Sequence, residues 1–109
     1  MGWLLRDGAV LCSLEVASTR ASRRRGLLGR DSIEGALLLA PARSVHTLGM
    51  RFSIDVAWLS DDLTVLRTTC MRRHRVSRPV VKAHSVLEAE AGRFASWGLV
   101  VGDRLELED

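Results

Sequence analysis

Long apolar runs and paired cysteines are scarce in this 109-residue sequence. The longest continuous apolar segment, residues 36–41, is far shorter than the roughly 20 residues that a helix needs to cross a bilayer. The first residues also lack the basic region and the apolar stretch of a secretory signal. We therefore expect no membrane contact and a cytoplasmic location. Cys12 and Cys70 match no metal-ligand or redox spacing, so we expect free, mostly buried thiols.

Lysine is almost absent. Lys82 is the only one, so the formal net charge of +3 comes almost wholly from arginine. GC-rich coding produces the same bias, which weakens any inference of nucleic-acid binding from the charge alone. Apolar residues make up 47% of the chain and charged residues 27%, a balance typical of a folded protein. The length then favours a single β-rich domain over residues 1–109.

Alternating apolar residues and turn dipeptides predict a series of short strands. The strongest signal runs from Leu48 to Trp58, where every second side chain is apolar. Residues 36–40 are continuously apolar, which is typical of a strand that is covered on both faces. The predicted strands cover residues 4–5, 10–16, 36–40, 48–58, 63–69, 86–90 and 104–107.

Capping residues predict two short helices. Ser18 or Thr19 offers an N-cap for a helix over residues 20–28, which Gly29 would end. A second helix is predicted over residues 92–97, with Gly98 as its cap. Together these elements indicate an α+β fold, mostly antiparallel, whose small sheet forms a closed or nearly closed barrel.

Four segments occur in an order and spacing that resemble the bacterial and archaeal family called domain of unknown function 192. They are residues 25–30 (RGLLGR), His46-Thr47 with Met50, Asp55-Val56 before the Asp61-Asp62 turn, and residues 86–88 followed by Gly92, Gly98 and Gly102-Asp103. The resemblance implies a β-rich fold but no established reaction, substrate or cofactor. Family members often carry a proline-aromatic step after the return strand, whereas residues 70–76 are rich in arginine here.

A histidine and a carboxylate are the first candidates for chemistry, because such a pair is the minimum for acid-base work near neutral pH. His46, Thr47 and Met50 lie near Asp55 in the sequence. In one unbroken strand, however, His46 and Asp55 would lie on opposite faces, unless Gly49 permits a bend that reunites them. The alternative is structural: His46 bonds backbone or Thr47, and Asp55 holds a turn or pairs with Arg51.

Glu88 is unusual because it interrupts an apolar strand. His84, His46, Asp55 and Glu88 have the chemistry of metal ligands, but their spacing follows no metal-binding pattern, so we predict no metal and no cofactor. A structural role for Glu88, bonded to arginine or to a helix N-terminus, is the alternative to a role in binding.

Residues 70–79 form a basic segment that we interpret as an exposed loop. Its arginines could contact phosphates or an acidic partner, although no aromatic side chains are interleaved with them for base stacking. An ordinary solvated loop is the alternative. The basic cluster consists of Arg72, Arg73, Arg75 and Arg78, with His74 among them.

Three functions stay open on this sequence. The leading hypothesis is a non-enzymatic module that binds a small molecule or a peptide in a polar pocket. The second is a hydrolase-type enzyme in which His46 works with Asp55 or Glu88. The third is a nucleic-acid-binding barrel that uses the arginine loop. The candidate pocket residues are His46, Thr47, Met50, Asp55 and Glu88.

Overall fold

The alternating segments pair into one seven-stranded sheet in a computed structural model, which describes residues 2–109. The strand order is β5-β4-β6-β3-β2-β1-β7, and every pair is antiparallel except β2 with β3. The α+β class and the two short helices are as predicted. The elements are β1 Gly2–Arg6, β2 Ala9–Ala17, α1 Arg20–Arg25, β3 Ala36–Leu39, β4 Ile54–Leu59, β5 Val65–Met71, β6 Ser85–Glu90, α2 Arg93–Trp97 and β7 Glu106–Glu108.

The sheet is open, so of the predicted closed or nearly closed barrel the closed form is wrong. Strands β5 and β7 are its two edges. The segment just before β7 does reach β5: the Val65 amide donates to the Asp103 carbonyl at 2.8 Å, and Thr64 bridges Arg104. The chain then turns away, and β7 pairs with β1. Arg104 therefore lies before β7 and outside the strand that was predicted to contain it.

The strand predicted over residues 48–58 begins only at Ile54. Residues 48–53 form turns, in which Gly49 has a φ of +76° and the Met50 amide donates to the Thr47 carbonyl. The alternation predicted a strand because Leu48, Met50 and Phe52 continue the apolar period of β4 toward the N-terminus, but in these turns Leu48 is exposed and Phe52 is only half-buried. Met50 is buried, but beneath a turn.

Helix α1 has a capping box, in which the Thr19 hydroxyl accepts the Ser22 amide and the Ser22 hydroxyl accepts the Thr19 amide. The helix ends at Arg25, and its C-cap is Gly26, three residues before the predicted Gly29 cap. Gly26 adopts φ 50° and ψ −126°, which leaves the helical region and directs the chain across the sheet.

The central strands β4 and β6 are buried on both faces of the sheet. One face packs against the segment after α1, and its core includes Leu27, Val56 and Val86. The other face packs against α2, and its core includes Leu87 and Phe94. Side chains that alternate along β4 and β6 therefore belong to two separate cores. Among residues 2–109, no helix is long and apolar enough to cross a bilayer.

Candidate functional site: an arginine-lined cavity above Glu88

A cavity of about 350 Å³ lies on the α1 face of the sheet. It opens between the C-terminal end of α1 and residues 41–46, and its apolar lining comes from Leu27, Leu28, Leu39, Val45 and Met50. His46 and Glu88 also line it. A concave site with apolar walls and a few polar groups is the usual form of a small-molecule site.

Glu88 is the buried polar group of this cavity. Its side chain is 3% exposed, and its partners in the sheet are Leu37 and Val56, so apolar side chains flank the carboxyl. The Oε1 atom has no hydrogen-bond partner among residues 2–109. Burial raises the pKa of the Glu88 carboxyl from 4.5 to about 7. An unpartnered buried carboxyl costs folding free energy, which makes it a candidate for function.

The backbone of Gly26 comes very close to this carboxyl. A Cβ atom at Gly26 would lie 3.2 Å from Glu88 Oε1, and the positive φ of Gly26 independently favours glycine. The RGLLGR segment thus places the end of α1 directly against Glu88. A larger residue at position 26 would occupy the space beside the free oxygen.

Five arginines line the same cavity: Arg20, Arg23, Arg24, Arg25 and Arg43. The three ion pairs among residues 2–109 use other arginines, namely Arg6, Arg30 and Arg51. Glu88 is the only acidic side chain in the lining. The cavity thus combines an excess of positive charge with a single buried carboxyl, an arrangement that attracts an anion.

Three of the five predicted pocket residues, His46, Met50 and Glu88, line this cavity. His46 is exposed and pairs through its backbone with Val76. The sequence reasoning missed the five arginines. Arg23, Arg24 and Arg25 stand directly before the glycine of RGLLGR, and that position was a usable signal.

Thr47 lies elsewhere, because it holds the arginine loop in place. Its side chain is fully buried, and its hydroxyl donates to the Arg72 carbonyl at 2.6 Å and accepts the Arg75 amide at 2.8 Å. The Thr47 amide also donates to the Arg75 carbonyl. Thr47 does not line the cavity.

Asp55 lies on the opposite face of the sheet from Glu88. Its Oδ2 atom accepts the Gly92 and Phe94 amides at 3.0 Å each, at the start of α2. The turn at Gly49 does not reunite Asp55 with His46, because Asp55 points toward α2 and His46 lines the cavity on the α1 face. The His46–Asp55 pair is thus not assembled.

The other candidate ligands are also dispersed. His84 is exposed and precedes β6, which begins at Ser85. In the part of the chain that the structure describes, no three His, Cys, Asp or Glu side chains are grouped closely enough to hold a metal ion. Cys12 is half-buried, and burial raises the pKa of its thiol to about 11. Cys70 is exposed, so the expectation of mostly buried thiols is wrong for this residue.

The basic cluster is exposed on the loop after β5. Arg72, Arg75 and Arg78 line a second depression, which is separate from the cavity above Glu88, whereas Arg73 does not.

Two solved structures have the same fold. A protein of unknown function from Novosphingobium aromaticivorans has a TM-score of 0.79 and 18% identity, with 96% of this chain and 82% of that chain covered. A Sinorhizobium meliloti protein, whose name proposes a role as a transcription regulator, has a TM-score of 0.79 and 21% identity, covering 96% and 90%. No curated protein is significantly similar. The sequence matches the family DUF192, described as an uncharacterized ACR, over residues 4–107, and the chain belongs to that family.

Proposed function

We propose that this protein is a non-enzymatic binding module for a small anionic molecule with an apolar body, held in the cavity above Glu88. The observation that carries the proposal is the unpartnered, buried Glu88 oxygen at a cavity lined by five arginines. Such a carboxyl is retained at a cost to stability, and a ligand group that bonds it removes that cost.

The lining suggests how the ligand lies. Guanidinium groups bind carboxylate or phosphate oxygens, so the anionic group of the ligand contacts the arginines. The apolar body packs between Leu27 and Val45, and a hydroxyl or amide group bonds the Glu88 carboxyl. The volume, about 350 Å³, is near the lower end of the range for small-molecule sites, which favours a small molecule over a peptide.

A thermal-shift comparison of hexanoate with 6-hydroxyhexanoate tests this arrangement, because a ligand that binds only the folded protein raises its unfolding temperature. We expect both probes to stabilise the wild type and the hydroxylated one to bind more tightly. Glu88→Leu should remove that preference, since leucine fills a similar volume without a hydrogen-bonding group.

The anion contact is tested by replacing Arg24 and Arg43 together with glutamine, with Arg104→Gln as the matched control outside the cavity. We expect both probes to stabilise the double variant less than the control. Equal shifts in the two proteins, or no shift for either probe in the wild type, would contradict the proposal.

One observation favours an acid-base enzyme as the second candidate. Glu88 has a pKa near 7 and lines the cavity together with His46, so the two groups can exchange a proton with a bound substrate. A screen with p-nitrophenyl esters would then find hydrolysis that depends on a group with a pKa near 7. Folded Glu88→Gln should lack that activity, whereas undiminished turnover would exclude Glu88 from the chemistry.

A further inference from the structure

The second depression is a groove of about 540 Å³ between β5 and the arginine loop. No residue lines both this groove and the Glu88 cavity. Backbone hydrogen bonds between residues 43–47 and residues 75–80 join the segments that line the two sites. Guanidinium and hydroxyl groups dominate its polar lining, from Arg67, Arg72, Arg75, Arg78, Thr69 and Ser77.

The groove has charge of only one sign. No Asp or Glu lines it, and none of the three ion pairs among residues 2–109 uses its arginines. Four guanidinium groups around one concave surface repel each other, and an anion with more than one charge relieves that repulsion. A phosphoryl group meets this need, because it carries up to about two negative charges at neutral pH and several acceptor oxygens.

Contacts with the rest of the fold position Arg67, Ser77 and the backbone at Arg72 and Arg75 in the groove lining. The Arg67 guanidinium lies 5.8 Å from the centre of the Trp58 ring, and the Trp58 indole donates to the Arg43 carbonyl at 2.9 Å. Ser77 is fixed by Val45, whose amide donates to the Ser77 hydroxyl at 2.9 Å. Because the Ser77 hydroxyl accepts this bond, its proton can be donated to a ligand. Thr47 fixes the backbone at Arg72 and Arg75.

We propose that this groove is a binding site for the phosphoryl group of a small phosphorylated molecule. A nucleic-acid strand fits less well, because single-strand binders stack bases on exposed aromatic rings. Trp58 is the only aromatic residue in the lining, and it is 2% exposed. The volume lies within the range for small-molecule sites. The inference is independent of the function proposed for the Glu88 cavity.

An NMR titration with inorganic pyrophosphate tests the site, because the three tryptophan indole signals are built-in reporters. We expect saturable shifts of the Trp58 indole signal, because Trp58 lines the groove. The signals of Trp3 and Trp97 should not shift, because neither residue lines it. Replacing Arg72 and Arg75 together with glutamine should weaken binding by at least about tenfold, since each guanidinium contributes charge-assisted hydrogen bonds.

The matched control replaces Arg20 and Arg24, which line the other cavity, with glutamine. Unchanged pyrophosphate affinity in this control supports a separate site, and an equal loss in both double variants would assign the phosphate to the Glu88 cavity and overturn the proposal. A thymidine decanucleotide serves as the competing probe. Tighter binding of this strand than of pyrophosphate, lost in the Arg72 and Arg75 variant, would make the groove a nucleic-acid surface and also overturn it.

Discussion

Glu88 is an acid in a position where the sheet offers it only apolar neighbours. Strand β6 directs Val86 and Glu88 toward the α1 face, and Gly26 lies against the carboxyl. A valine or leucine at position 88 would satisfy the strand pattern without burying an oxygen. Packing of the core therefore does not require an acid at position 88.

Glu88→Gln should stabilise the protein at pH 8. Because the folded-state pKa is raised to about 7 from 4.5, the folded protein binds more protons than the unfolded chain between these values. The contribution of Glu88 to stability therefore falls as the pH rises from 4.5 to about 7 and is constant above it. We expect Gln to raise the free energy of unfolding by about 1–3 kcal/mol at pH 8.

Denaturant unfolding of both proteins at several pH values measures this difference. The gain should shrink as the pH is lowered and vanish near pH 4.5, where the wild-type carboxyl is protonated in the folded state. A variant that is less stable than the wild type at pH 8 would show that the Glu88 carboxylate is stabilised by contacts other than those described.

Helix α2 depends on a side chain from a different element. It has five residues, and its N-cap is Gly92, which offers no side-chain acceptor. Asp55 from β4 takes that role by accepting the Gly92 and Phe94 amides through one oxygen. The carboxylate thus ties the helix to the centre of the sheet, where Phe94 completes the second core.

Asp55→Ala should lower the free energy of unfolding by about 2 kcal/mol, because two amides lose a charged acceptor. Asp55→Asn should lower the free energy of unfolding less, since one amide oxygen can still accept both bonds. Denaturant melts check the ranking. Equal losses for Ala and Asn would argue against this capping role.

The arginine loop is positioned mainly by Thr47. The buried hydroxyl bonds the loop at Arg72 and Arg75, so the loop has a fixed path although its arginine side chains are exposed. The path of the loop determines which of its arginines line the groove.

Thr47→Val keeps the shape of the side chain but leaves the Arg72 carbonyl and the Arg75 amide without their partner. We expect a loss of about 1–3 kcal/mol in stability. Hydrogen exchange at the Arg75 amide should also become faster than in the wild type. Thr68→Val on β5 is the control, and a comparable effect there would show that the loss is not specific to the loop contact.

At the scale of the whole molecule, the two ends of the chain meet on one side of the open sheet. Arg6 at the end of β1 donates to Asp103 at 3.0 Å and to the Trp97 carbonyl at 2.6 Å. Asp103 also accepts the Val100 amide, and its own carbonyl binds Val65. This half-buried cluster joins β1, the turn after α2 and β5.

Asp103→Ala should therefore cost about 1–2 kcal/mol, because it removes an ion pair and a bond to the backbone that are partly shielded from water. Asp31→Ala is the matched control: Asp31 pairs with Arg51 at the same 3.0 Å, but both side chains are largely exposed. The loss of stability in Asp31→Ala should stay below about 0.5 kcal/mol. Thermal and denaturant unfolding of both variants checks the contrast, and equal losses would contradict it.

Local chemistry was enough to predict strands β1, β2 and β3 and helix α2. Turn dipeptides, glycine caps and side-chain period act over a few residues, so they can be read without the partner segments. The same local information allowed the alternation at residues 48–53 to be mistaken for a strand, because only long-range pairing distinguishes a strand from a loop whose sequence alternates in the same way.

The sequence by itself determined which residues could carry chemistry, and it identified Glu88 and His46 among them. The tertiary structure decided which of them meet. Asp55 and Glu88 come from adjacent strands but point to opposite faces, since side chains alternate along each strand. Arginines from α1 and Arg43, distant in the chain, converge on one cavity. Such convergence depends on contacts between remote segments, which no local pattern encodes.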